Sequence, residues 1–97
     1  MRDKAMIIPT NHPALAGHFP GNPLIPGVVI LDYVLQKARK KGLEVTGISR
    51  TKFIAPLRAE TPFEIEITLS KEECEFRVLS AGDTLAHGTL DCPDHFS

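Results

Sequence analysis

The 97-residue chain carries two cysteines, Cys74 and Cys92. Two are too few for a disulfide scaffold, and they lack the CxxC spacing of a thiolate metal or redox site. Long apolar runs are missing too. The longest aliphatic stretch, Val28 to Leu31, cannot cross a bilayer, and MRDKAMIIPTN at the N-terminus has no apolar core for a signal peptide. The expectation is a cytoplasmic protein without a membrane partner. Charge of one sign is not in excess: 11 basic and 12 acidic residues give a formal net charge of -1. A global nucleic-acid surface is therefore excluded. His12, His18 and His87 form no two-histidine helix pair, so neither a metal site nor a cofactor is expected. No repeat, linker or low-complexity tract divides residues 1–97, which read as one domain. A core this small is marginal by itself, so an oligomer is expected.

What the chain does have is strong local patterning. Pro26 suits the first position of a helix over 26–41, in which Val28, Ile30, Leu31, Val34, Leu35 and Ala38 supply a wide apolar arc. Basic residues crowd its last turn and Gly42 stops it. Asp32 and Gln36, four apart, share a narrow strip at the edge of that arc. Beyond Gly42 the period changes to two. Phe63, Ile65, Ile67 and Leu69 alternate with polar residues, as a half-buried antiparallel strand requires. Residues 48–55, ending at Pro56, read as a strand, and 5–8 as a short pairing strand. Residues 73–81 and 84–92 flank Gly82-Asp83 as a hairpin. That turn sets Cys74 opposite Asp91 with Cys92 on the other face, which argues against a bridge between the thiols. The fold class is α+β, an antiparallel sheet around a central helix.

Between the first strand and the helix runs GHFPGNPLIPGVVILD, residues 17–32, with three prolines and three glycines. So much conformational restriction exceeds what a simple chain reversal needs and points to a loop held in one shape. A helix starting at Pro26 leaves the amides of Gly27 and Val28 without intrahelical acceptors, and Gly27 offers no side chain to obstruct approach. His18 is a candidate base by residue type, and Asp32 lies on the second turn of the same helix. From spacing alone two readings stand: an acid–base pair beside an oxyanion site, or a hydrogen-bonded loop histidine and a solvated aspartate.

The run HFPGNPLIPGVVILD resembles the active-site motif of the β-hydroxyacyl-acyl-carrier-protein dehydratases, a family with the hot-dog fold: His-Phe-Pro, then Pro, then Pro-Gly-Val and an acidic residue. Phe53 to Pro56 is similar to the family's Phe-x-x-Pro strand ending, and residues 75–90 to its last hairpin. The compact length resembles the dehydratases of aryl-polyene and related pigment pathways. The resemblance implies a hot-dog domain in which a sheet wraps a long central helix and two units pair side by side. It implies His18 and Asp32 as catalytic residues from different subunits, Gly27 as the amide that binds the thioester carbonyl, and Gln36 orienting Asp32. Aspartate stands where the commoner dehydratases have glutamate.

The implied reaction is dehydration of a (3R)-3-hydroxyacyl thioester, carried on the phosphopantetheine of an acyl carrier protein, to the trans-2-enoyl thioester. Lys37, Arg39, Lys40, Lys41, Arg50, Lys52 and Arg58, opposed between 37 and 58 by Glu44 alone, are candidates for docking that acidic carrier. A solvated basic helix end favoured by its dipole explains the first four equally well. The partner subunit is expected to be a second copy, with a heterodimer as the variant. Two rival functions share the fold: an acyl thioesterase and a non-catalytic acyl-binding subunit.

Overall fold

The computed structural model describes residues 5–9, 24–70 and 73–92. One helix, α1 (Gly27–Lys40), precedes four strands, β1 (Gly47–Phe53), β2 (Glu64–Leu69), β3 (Cys74–Ser80) and β4 (Asp83–Asp91). The helix begins one residue later than the sequence suggests. Pro26, with φ -59° and ψ 142°, is its N-cap, and its carbonyl accepts from Val29 (3.0 Å) and Ile30 (3.4 Å). At the other end Gly42 takes φ +90°. Its amide donates to Arg39 O (3.0 Å) and that of Leu43 to Ala38 O (3.2 Å). This is a Schellman termination, with Gly42 in the left-handed conformation that glycine adopts without penalty. Val29, Ile30, Val34 and Ala38 form the buried stripe, worth about 1.5–3 kcal/mol for each large side chain. Tyr33 seats its ring edge-on to Phe63, with centroids 5.9 Å apart.

The strands form one antiparallel sheet in the order β1-β4-β3-β2. Cys74, Phe76 and Val78 of β3 and Ala86, Gly88 and Leu90 of β4 turn inward, and Ile65 of β2 joins them in the core. Residues 5–8 make a single bridge rather than a strand: Met6 exchanges hydrogen bonds with Phe63 (2.7 and 2.9 Å), and Ile8 O accepts from Glu60 N (2.9 Å). In β1 the register shifts between Ile48 and Arg50. Ser49 is the extra residue of this bulge, and its hydroxyl donates to Asp91 Oδ1.

The hairpin turns one residue earlier than expected, at Ala81-Gly82, with Ser80 paired to Asp83. Because side chains alternate along a strand, this slip, carried past the irregularity at Val78/Leu79, reverses the expected placement of the cysteines. Cys74 lies opposite Leu90, not Asp91. Cys92, two residues beyond Leu90, therefore shares its inward face, and both thiols are free and buried. Burial raises the Cys74 pKa from 9.0 to about 12, and a hydrogen bond and charge interaction with Cys92 add to the effect. Cys74 should stay unalkylated by iodoacetamide at pH 8 in the native protein and react on unfolding, as mass spectrometry would reveal. Between pH 9 and 12 the unfolded chain releases a proton that the fold retains, so stability from this thiol falls as pH rises through that window.

Ala81 (φ 52°) and Gly82 (φ 86°) are both left-handed, as a two-residue type I′ turn demands. Alanine pays a steric penalty there that asparagine largely escapes. Ala81→Asn should stabilise the protein by about 0.5–1 kcal/mol, a rise in Tm of roughly 4 °C. An unchanged or lower melting curve would contradict the turn assignment.

Candidate active site

Of the expected site residues, Gly27 and Val28 open the helix, and Asp32 and Gln36 follow on its next turns. Among the described residues no side chain caps it, and Val29 and Ile30 take the Pro26 carbonyl, so the amides of Gly27 and Val28 have no intrahelical acceptor. Leu24 bridges to Arg58, and Ile25 N donates to Leu57 O (2.8 Å), which ties the chain entering the helix to the segment after β1. Val28, Asp32 and Gln36, spaced by four, form one exposed strip along α1, with Val28 76% exposed. Gln36 Nε2 donates to Asp32 Oδ2 at 2.8 Å, so the exposed carboxylate is held by a neighbour one turn on. His18 and His12 lie outside the described residues. His87 is exposed on the outer face of β4, opposite Lys52 on one side and Arg77 on the other.

The seven basic residues do not make one patch. Lys37, Arg39, Lys40 and Lys41 occupy the C-terminal end of α1, roughly 20 Å along the axis from Gly27 at 1.5 Å per residue. Arg50 and Lys52 project from the outer face of β1, and Arg58 sits by the helix start. The chain reverses after Gly42, and β1 runs back along the helix, so a cluster contiguous in sequence is split between opposite ends. Among the described residues no three His, Cys, Asp or Glu side chains gather as a metal site.

One feature of the site was not anticipated. An apolar cavity of about 450 Å³ opens beside the helix start, walled by residues including Ile25, Gly27, Ile30, Phe53, Pro56 and Leu57. Its signal in the sequence is Phe53-Ile54, two large apolar neighbours that a strand cannot both turn inward. They are 48% and 55% exposed.

The arrangement defines a class: a hot-dog domain with an uncapped helix start, an adjoining acid and an apolar cavity. The family model for ApeI dehydratases matches residues 3–89, and the chain belongs to this ApeI-like family. A chain of the dehydratase heterocomplex ApeI:P from Xenorhabdus doucetiae superposes with TM-score 0.73 at 25% identity, over 90% of this chain and 81% of that one. An uncharacterized protein from Erwinia carotovora subsp. atroseptica shares the fold, with TM-score 0.69 at 21% identity over 94% and 90% of the two chains. Among curated relatives, the 3-hydroxyacyl-[acyl-carrier-protein] dehydratase FabZ of Zymomonas mobilis is 38% identical over 71 residues, 68% of this chain and 45% of its own. The FabZ of Thermomicrobium roseum is 31% identical over 66% and 50% of the two chains. The chain thus spans about half the length of these relatives.

Proposed function

We propose that the protein dehydrates a (3R)-3-hydroxyacyl thioester, carried on an acyl carrier protein, to the trans-2-enoyl thioester. The observation that carries this reading is the Asp32–Gln36 pair on the exposed strip that begins at the uncapped helix start. His18 takes the C2 proton. The charge that develops on the thioester oxygen is met by the Gly27 amide, with the Val28 amide beside it, where the helix dipole also favours it. Asp32, held by Gln36, delivers a proton to the departing hydroxyl, and water leaves. No step needs a metal or cofactor, and all of the chemistry is proton transfer and charge stabilisation.

The exposed strip supports an assembly in which a partner subunit covers the helix and its His18 reaches this Asp32. Val28 at 76% exposure and the open edge strand β1 are surfaces suited to such a partner. The partner is a second copy of the chain, with a heterodimer as the alternative that the ApeI:P neighbour suggests. Residues 1–97 act as a single domain in the cytoplasm, and no helix among the described residues is long and apolar enough to cross a membrane. Arg50, Lys52 and Arg58 are better placed than the helix-end lysines to meet a carrier protein delivering to the Gly27 end.

The deciding assay incubates the protein with a 3-hydroxyacyl carrier thioester and follows two products by mass. Dehydration loses water and leaves the carrier acylated, whereas a thioesterase frees the carrier thiol. Released thiol without enoyl product would transfer the assignment to hydrolysis, and absence of both would support a non-catalytic acyl-binding subunit.

A further inference from the structure

Gly27 and Phe53 meet in a way that amide chemistry at the helix start does not require. A Cβ placed on Gly27 would lie 2.8 Å from Phe53 Cζ and 3.2 and 3.4 Å from its Cε atoms. The tip of the ring is seated in the notch that the missing side chain leaves. Phe53 ends β1 on its inward side, paired with Ala86, and its ring reaches across to the first residue of the helix. There it forms one wall of the 450 Å³ cavity. Of the aliphatic wall residues, Ile25, Ile30 and Leu57 are 6%, 4% and 2% exposed and belong to the core, whereas Ile54 shares the open side with Phe53. Phe53, 48% exposed on an edge strand, can change size without opening that core, and of the two exposed wall residues it is the one whose ring lies against Gly27.

A thioester oxygen bound at the Gly27 amide directs the acyl carbons into the adjoining space, and this space is lined mainly by apolar side chains. We infer that Phe53 is a specificity-determining residue, whose ring, seated against Gly27, sets the size of the acyl group that the cavity accepts. The inference rests on the dehydratase reading, and Gly27 acquires a second role in it: besides presenting its amide, it makes room for the ring.

The test compares wild type, Phe53→Ala, Phe53→Leu, Gly27→Ala and the Gly27→Ala/Phe53→Ala double variant. Substrates are 3-hydroxybutyryl and 3-hydroxydecanoyl thioesters of an acyl carrier protein. Phe53→Ala should shift the kcat/KM ratio toward the longer substrate by about tenfold or more, with Phe53→Leu between it and wild type. Melting curves supply a readout independent of turnover. Alanine is the better helix former, so Gly27→Ala should raise Tm in the Phe53→Ala background, yet lower it in wild type, where the new methyl meets the ring. A wild type active on both substrates, with the same chain-length ratio in every Phe53 variant, would overturn the specificity role. Equal Tm changes in the two backgrounds would overturn the notch. Inactivity of the wild type on both substrates would instead remove the dehydratase reading, and the specificity role with it.

Discussion

Asp32→Asn is expected to lower turnover of a 3-hydroxyacyl carrier thioester by roughly 10²- to 10⁴-fold while leaving the fold intact. The amide is nearly isosteric with the carboxyl, and its oxygen can still accept from Gln36 Nε2, the contact that orients Asp32 at 2.8 Å. What it cannot do is hand a proton to the leaving hydroxyl. Asp32 is exposed on α1, so the substitution should change stability by no more than about 0.5 kcal/mol. Loss of rate then reads chemistry rather than folding. His18→Ala should produce a loss of similar size, and the double variant should lose little more than either single one, because in the proposed mechanism both residues serve one elimination and their effects are not additive. Single-turnover rates on the assembled protein are the measurement. Wild-type rates in both variants would end the assignment of roles.

Gly88→Ala should be the most damaging single-methyl change in the sheet, destabilising the protein by about 3 kcal/mol or more. Gly88 is buried in the middle of β4. The β1 bulge at Ser49 directs the Arg50 carbonyl oxygen to where a Gly88 Cβ would be, so the added carbon collides with it. The Phe76 ring closes the same space from β3, with Cε1 and Cζ both 2.8 Å from that position. Neither neighbour yields cheaply, since one is backbone held in the β1–β4 ladder and the other a fully buried core ring. A loss of this size is a large share of the 5–15 kcal/mol that holds a typical domain together. Adding Phe76→Leu should recover only part of it, because the carbonyl stays. Gly27 differs in this respect: its crowding neighbour is the far end of a half-exposed side chain, which a second substitution can remove. Denaturant melts of Gly88→Ala and the double variant check the claim, and a wild-type midpoint for Gly88→Ala would refute the close approach.

The elements themselves were legible because each depends on short-range periodicity. The apolar arc from Val29 to Ala38 and the basic last turn with Gly42 specify α1 to within a residue at each end. Alternation from Phe63 to Leu69 specifies β2. The Asp32–Gln36 contact was equally readable, since residues four apart on a helix are neighbours whatever surrounds them. Reading failed where one residue of register mattered. Both Gly82-Asp83 and Ala81-Gly82 satisfy turn chemistry locally, and only the pairing of Cys74 with Leu90, together with the irregularity at Val78/Leu79, selects between them.

The amino-acid sequence alone determined the helix, the strands, the acid and its glutamine partner, and the glycine at the helix start, because local spacing and backbone preference control those features. Tertiary structure alone decided that Cys74 and Cys92 share the inward face, that the basic residues divide between the two ends of α1, and that Phe53 lodges against Gly27 to wall an apolar cavity. Each of these depends on which distant segments the sheet brings alongside the helix. That outcome is set by register and packing over the whole core, and no short stretch of sequence encodes it.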